Sequence, residues 1–209
     1  MGSRGWLTGY IACSLLHLLS LAAGWEWLRF TTKPLLMLIL LFSGAGGWVR
    51  TTLFFSWLGD IFLLGEGQAY FISGLGAFLL AHLCYIFYFL LRRRQQAPRP
   101  AWNPYVIIGV SLYAGLFYFL LAPHLETALK APVFVYTWVI AAMFCTSFFV
   151  NGWCVAGAAL FLASDSLLAV NSFVQPFAGA SLLVMLTYAA AQLGIVWGSL
   201  QPNKADEKN

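Results

Sequence analysis

Residues 103–121 read NPYVIIGVSLYAGLFYFLL, an apolar and aromatic run without one charged side chain. About 20 such residues are the length that an α-helix needs to cross the hydrocarbon core of a bilayer. Asn103 before Pro104 is typical of a helix start, because asparagine caps free backbone N–H groups and proline lacks the N–H that would stay unpaired. The stretch therefore predicts a membrane-spanning helix.

The composition extends this interpretation to the whole chain. Of 209 residues, 61% are hydrophobic and 9% are charged, whereas soluble domains carry about a quarter charged residues. So few charges exclude a soluble domain and a disordered chain. At about 25 residues for a span and its loop, the length accommodates about eight helices.

We predict an all-α, polytopic membrane bundle of about eight transmembrane helices. Residues 1–200 form a single transmembrane domain, and residues 201–209 form a polar cytoplasmic tail. Pro34 and Pro132, like Pro104, are assigned to the first turns of their helices. The apolar runs place the spans near 6–23, 33–48, 51–65, 69–91, 103–121, 132–150, 153–171 and 177–199.

The basic residues predict the orientation, since loops rich in Lys and Arg stay in the cytoplasm. An arginine-rich loop follows the fourth helix, so that loop and both termini are assigned to the cytoplasmic side of a bacterial inner membrane. The opposite side receives only Arg29, Lys33 and Lys130. The cytoplasmic set is Arg4, Arg50, Arg92, Arg93, Arg94, Arg99, Lys204 and Lys208. Topology thus explains the basic cluster, and no nucleic-acid partner is predicted.

Two carboxylates, Asp60 and Asp165, lie inside predicted spans. A charged side chain there costs at least about 2.5–3.5 kcal/mol, so it indicates a functional site. Both lie roughly 8–9 Å from the outer ends of their helices at 1.5 Å per residue, and we expect them to face one cavity. Two close carboxylates do not readily ionise together, which suits paired acid and base chemistry. The alternative is that each bonds a polar group on a neighbouring helix.

Further polar residues are candidates for contacting a substrate or for orienting the acids. His82 and Tyr85 share one face of the fourth helix, and His82 is assigned an orienting role. Tyr188 and Gln192 either line a cavity or join two helices. His17 is assigned to hydrogen-bonded packing. The full set of candidates is Lys33, His82, Tyr85, Tyr136, Ser164, Tyr188 and Gln192.

The remaining patterns concern cysteines and repeats. The cysteines sit singly in apolar runs, which indicates structural thiols rather than disulfides or zinc ligands; no metal and no cofactor is predicted. A Lys-Pro step opens the second helix, and a Lys-Ala-Pro step opens the sixth. Since each half also carries one acid, two parallel four-helix repeats are a hypothesis. The cysteines are Cys13, Cys84, Cys145 and Cys154.

Short motifs occur along the chain in the order Lys33-Pro34, Gly59-Asp60, Phe71, Gly74, Phe78, His82, Tyr85, Gly157-Ala158, Phe161, Ser164-Asp165, Tyr188 and Gln192. Their order and spacing resemble the YhhN-type lysoplasmalogenase family over essentially the whole chain. The resemblance implies an eight-span enzyme that hydrolyses the vinyl ether bond of a lysoplasmalogen. The products would be a fatty aldehyde and glycerophospho-ethanolamine or -choline, with Asp60 and Asp165 as the catalytic residues.

The residue inventory suits this chemistry, because vinyl ether cleavage needs a proton donor, a carboxylate and a dry pocket. Lys33 and Arg29 are candidates for holding a substrate phosphate.

A small-solute or lipid transporter with parallel repeats is the main alternative function. An intramembrane aspartyl protease fits less well, because Trp57 replaces the first glycine of its Gly-x-Gly-Asp motif. A non-catalytic scaffold would not need buried acids. The sequence leaves open whether the protein forms a homodimer.

Overall fold

The computed structural model describes residues 5–96, 98 and 101–201. Its regular structure is entirely helical in these residues, which confirms the predicted all-α bundle. A 3₁₀ turn at Ala122–His124 follows the fifth helix, and a π turn at Val170–Val174 follows the seventh. The α-helices are α1 (Gly5–Ala23), α2 (Glu26–Leu41), α3 (Gly47–Phe62), α4 (Gln68–Arg94), α5 (Pro104–Leu121), α6 (Thr127–Ser147), α7 (Gly152–Ala169) and α8 (Ala180–Leu200).

Six of these helices are long and apolar enough to cross a membrane, namely α1 and α4 to α8. The protein is therefore an integral membrane protein. Helices α2 and α3 have 16 residues each, which corresponds to roughly 24 Å, less than the about 30 Å of a hydrocarbon core. The cytoplasmic assignments of Arg4, Arg99, Lys204 and Lys208, and the tail beyond residue 201, lie outside the described residues.

Three helix starts differ from the sequence-based expectation by four residues or more, and one of them is that of α3, which begins at Gly47 rather than near 51. Helix α2 begins at Glu26 rather than near 33, and α6 begins at Thr127 rather than near 132, so Pro34 and Pro132 lie inside their helices. Neighbouring groups in a membrane bundle compensate the backbone hydrogen bond that proline removes. The cap at Asn103 is confirmed, because its side chain accepts hydrogen bonds from the first turn of α5.

Helix α2 also ends earlier than expected, at Leu41 rather than near 48. The connection to α3 contains Gly44, whose φ of +86° lies in the left-handed region. That conformation strains residues with a Cβ, so the glycine fixes the break between the two short helices.

Contacts between helices run in a closed circuit, in the order α1, α2, α3, α4, α6, α7, α8 and back to α1. Helix α5 lies outside this ring, packs mainly on α6 and turns most of its surface to the lipid. The circuit encloses the space in which the polar side chains of α1, α2, α3, α4, α7 and α8 meet. Helix α1 is part of the ring, whereas α5, its counterpart in the predicted four-helix repeat, is not. The repeat stays a prediction.

The two helix pairs that carry the acids, α3–α4 and α7–α8, approach closely at glycines. A Cβ added to Gly59 would lie 2.6 Å from the ring of Phe78, and one added to Gly157 would lie 2.7 Å from the carbonyl oxygen of Ala191. Small residues allow this approach of helices in membranes. Gly59 therefore brings the aromatic ring of α4 against the helix turn that carries Asp60.

Candidate active site

A polar cavity of about 310 Å³ lies inside the ring, at the end of the bundle where α2 and α4 begin. Asp60 and Asp165 both line it, from α3 and α7. The structure thus brings together the two carboxylates that the sequence analysis identified inside predicted spans. Lys33, Ser164 and Tyr188 lie in the same wall.

Asp60 is almost fully buried, with 1% of its surface exposed. The Tyr188 hydroxyl donates a 2.8 Å hydrogen bond to its Oδ2, and the Lys33 ammonium lies 3.9 Å from its Oδ1. Each carboxylate oxygen therefore has a partner of its own. A buried carboxylate requires such compensation, because burial removes the hydration that stabilises its charge.

A chain of hydrogen bonds fixes the position of the Tyr188 hydroxyl. The Gln192 amide nitrogen donates to the Tyr188 hydroxyl at 3.5 Å and to Ser56 Oγ at 3.0 Å. The Tyr85 hydroxyl donates to the Gln192 amide oxygen at 2.7 Å, which determines which way the amide faces. Tyr85 therefore belongs to the surroundings of Asp60, although in sequence it lies next to His82.

Asp165 has different partners and is less buried, with 16% of its side chain exposed. The Tyr136 hydroxyl donates to its Oδ2, and His82 Nε2 lies 3.4 Å from the same oxygen and 3.0 Å from the Tyr136 oxygen. Both contacts fall on Oδ2, and Oδ1 has no hydrogen-bond partner among the described residues. Sequence spacing did not connect Tyr136 to Asp165, because the two are on different helices.

Aromatic rings connect the surroundings of the two acids. Phe161 packs edge-on against His82 at 4.7 Å and against Tyr188 at 5.4 Å between ring centroids. Phe78 packs against Tyr188 at 5.8 Å and is the ring that Gly59 admits. One rigid aromatic cluster therefore holds the hydrogen-bond partners of both Asp60 and Asp165.

Ser164 occupies the cavity wall next to Asp165, and its hydroxyl donates to the carbonyl oxygen of Val184 at 3.0 Å. This bond joins α7 to α8. Since the hydroxyl proton is used in that bond, Ser164 holds the helix that carries Asp165 in place.

His17 lies in the cavity wall, a position that the sequence analysis did not predict. Its Nδ1 lies 2.8 Å from Thr32 Oγ1, as expected for packing, but its Nε2 is buried without a partner among the described residues and the ring lines the cavity. The Thr32 hydroxyl donates its own proton to the Leu28 carbonyl oxygen. Thr32 therefore accepts from Nδ1–H, which leaves Nε2 as a free hydrogen-bond acceptor.

The ring of helices and its cavity define a class of protein: a polytopic membrane protein with two carboxylates in one intramembrane polar site. The model of the YhhN family matches residues 27–199. The chain belongs to the YhhN family, which confirms the resemblance drawn from its motifs.

Relatives of similar sequence occur in bacteria and mammals. The chain is 34% identical over 163 residues to the lysoplasmalogenases of Mycobacterium bovis and Mycobacterium tuberculosis. That match covers 76% of this chain and 58% of the mycobacterial proteins, so it spans less than two thirds of their length. It is 32% identical over 208 residues to Lysoplasmalogenase TMEM86B of Mus musculus, covering 95% of this chain and 88% of the relative. No solved structure is significantly similar to the chain.

Proposed function

We propose that this protein is a lysoplasmalogenase, which hydrolyses the vinyl ether bond of a lysoplasmalogen to a fatty aldehyde and glycerophospho-ethanolamine or -choline. The observation that carries the proposal is that Asp60 and Asp165 line one cavity with different partners. The names of the mycobacterial and murine relatives support the same activity.

The contacts suggest how the two acids divide the work. Lys33 is a cation beside Asp60, so the pair carries balanced charge when Asp60 is a carboxylate. Asp165 has no basic side chain other than His82 within contact distance among the described residues. We assign Asp165 as the acid that gives the proton and Asp60 as the base that activates water, with both acids touching the reacting atoms.

In the proposed reaction Asp165 protonates the alkenyl carbon that is two bonds from the ether oxygen, and the double-bond electrons form the new C–H bond. The neighbouring carbon becomes an oxocarbenium ion. Asp60 takes a proton from water, and the water oxygen bonds to that carbon to give a hemiacetal. The hemiacetal hydroxyl then returns a proton to Asp165, the bond to the glycerol oxygen breaks, and Asp60 protonates that oxygen. One water is consumed, and both acids regain their starting states.

The polar end of the cavity suits the headgroup and glycerol of a lysolipid. Arg29 and Lys33 line it, and both donate hydrogen bonds of the kind that phosphate oxygens accept. The free acceptor on His17 complements the hydroxyl that a lysolipid carries on its glycerol, whereas a diacyl or alkenyl-acyl lipid has no proton to donate there. This end therefore favours lysolipids.

Isotope incorporation tests the reaction directly. Purified protein would be given alkenyl, acyl and alkyl lysolipids of equal chain length in D₂O, with borohydride reduction of the aldehyde to prevent later exchange. We expect cleavage of the alkenyl lipid alone and one deuterium on the carbon next to the former aldehyde carbon. Equal cleavage of the acyl lipid would indicate an ordinary lysophospholipase, and an aldehyde without deuterium there would contradict carbon protonation.

We further propose that both termini lie in the cytoplasm of a bacterial inner membrane, with the cavity facing the opposite side. The basic residues of the α4–α5 loop support this orientation. Labelling of Cys residues introduced at exposed positions of the α5–α6 connection in intact cells tests it, since an external reagent should reach them. A homodimer and the extent of a single transmembrane domain stay predictions.

A further inference from the structure

An apolar groove lies beside the polar cavity, between helices α4, α5, α6 and α7. Its walls are almost entirely hydrocarbon and aromatic, with Phe117 from α5, Val133 and Ile140 from α6 and Leu162 from α7. The free volume is about 60 Å³, compared with about 310 Å³ in the polar cavity. The groove is therefore the smaller and the more apolar of the two spaces.

The few polar side chains of the groove are occupied by bonds within the protein. The Thr137 hydroxyl donates to the Val133 carbonyl oxygen at 2.8 Å, and the Ser166 hydroxyl lies 2.6 Å from the Leu162 carbonyl oxygen. The Tyr136 hydroxyl is used by Asp165. A ligand in this groove thus meets a surface that offers almost no free hydrogen-bonding groups, which favours a hydrocarbon.

The groove and the polar cavity meet at Asp165. This residue lines both, together with Leu63, Phe71, Phe78 and Leu168. Asp60 and Lys33 line only the polar cavity, and Tyr136 lines only the groove. A molecule that occupies both spaces therefore has a polar part, an apolar part and a boundary between them at Asp165.

A polar contact joins α5 and α7 at the edge of the groove. The Tyr113 hydroxyl of α5 lies 2.5 Å from Ser166 Oγ of α7, and this contact is exposed at the surface of the bundle. Helix α5 otherwise packs mainly on α6 and touches the π turn after α7. This contact marks where α5 and α7 meet beside the groove.

We infer that this groove binds the single hydrocarbon chain of the lysolipid, entering from the membrane between α5 and α7. The inference rests on the proposed function for the identity of the lipid. The junction at Asp165 corresponds to the vinyl ether, which is the boundary between chain and headgroup.

Photolabelling of the unmodified protein tests the inference without requiring turnover. The probe is a 16-carbon 1-O-alkyl lysophosphatidylcholine with a diazirine at the chain end, which contains no vinyl ether and is not hydrolysed. In phosphatidylcholine nanodiscs, we expect labelled peptides from the groove faces of α5, α6 or α7, and at least tenfold less label there with excess unlabelled probe. Label confined to the lipid-facing surface of α5, unaffected by competition, would overturn the inference.

A matched pair of variants provides a second measurement. Val133 faces the groove and is 5% exposed, whereas Val135 on the same helix is 48% exposed and lines no described cavity. We expect V133W to weaken binding of the 16-carbon alkyl lysolipid at least tenfold and V135W to leave it within twofold. Equal binding by both variants, with V133W folded as judged by its thermal unfolding, would contradict the inference. If the unmodified protein bound the alkyl lysolipid in the groove but did not hydrolyse the alkenyl lysolipid, that result would contradict the proposed function and leave the groove inference standing.

Discussion

The Lys33 ammonium lies 3.9 Å from Oδ1 of Asp60, in the cavity that Asp165 also lines. Lys33 thus contacts Asp60 and not Asp165, so the two acids are not equivalent. Asp165 receives hydrogen bonds from neutral or weakly basic groups instead, Tyr136 and His82. This asymmetry is what an acid and a base in one reaction require.

Asp60→Asn and Asp165→Asn should each reduce hydrolysis of alkenyl lysolipid by about 10²-fold or more, because each removes a proton-transfer group. The size of the side chain is kept, so membrane insertion and a monodisperse elution profile should be retained. Initial rates with purified protein measure the effect. Glu126→Gln is the control, since Glu126 contacts Gln68 at the exposed end of the bundle. Near-normal turnover of Asp60→Asn would disprove the acid-pair mechanism.

Tyr136→Phe and Tyr188→Phe each remove one hydroxyl that donates to an acid. A hydrogen bond to a charged group contributes about 1.5–3 kcal/mol, so kcat should fall about 10- to 100-fold while KM changes little. Tyr85→Phe should have a smaller effect, because Tyr85 acts through Gln192.

Tyr118→Phe is the matched control for these tyrosines, since its hydroxyl donates to the Lys130 carbonyl oxygen outside the cavity. Steady-state kinetics and thermal unfolding are measured together. A fall in kcat that is matched by a fall in melting temperature would assign Tyr136 or Tyr188 to structure rather than to positioning the acids.

His17→Phe should reduce the preference for a free glycerol hydroxyl. A net hydrogen bond is worth about 0.5–1.5 kcal/mol, so the unmodified protein should favour the lysolipid over its 2-deoxy analogue by up to about tenfold, and His17→Phe should treat both alike. The ratio of kcat/KM values reports this. His124→Phe serves as control, because His124 is exposed after α5; an unchanged ratio in His17→Phe would exclude this role.

Gly59→Ala should destabilise the bundle, because the added Cβ would lie 2.6 Å from Phe78. Overpacking of this kind costs about 1–3 kcal/mol. Gly76→Ala on α4 is the comparison, since nothing lies within 4 Å of a Cβ there, and alanine favours a helix by about 1 kcal/mol over glycine. Thermal unfolding in detergent should therefore move in opposite directions for the two variants. A melting temperature for Gly59→Ala at or above that of the unmodified protein would refute the close contact.

The two acids were predictable from sequence because charge inside a span is rare and costly. Their partners were not, because Tyr188 lies 128 positions from Asp60 and Tyr136 lies 29 positions from Asp165. Apolar residues in a membrane protein face lipid and interior alike, so periodicity does not reveal which side of a helix is buried. The place of α5 outside the ring was invisible for the same reason.

The helix ends show a second limit of the sequence. Pro34 and Pro132 have the local signature of a helix start, yet both lie within helices. The residues before them, such as Glu26 and Arg29, are polar and fell outside the apolar runs that defined the spans. Polar residues at the end of a bundle are helical here because they line the cavity mouth or pair with each other.

The meeting of two dissimilar spaces at Asp165 has a consequence for what happens after bond cleavage. Cutting an amphiphile at its boundary yields one oil-soluble and one water-soluble fragment. In the proposed reaction, the aldehyde would lie in the apolar groove and the glycerophosphodiester in the polar cavity. Each product partitions into the phase that dissolves it, so neither has to cross the other's path. In the proposed reaction, the separation of the two products therefore follows from the position of Asp165 between the two spaces.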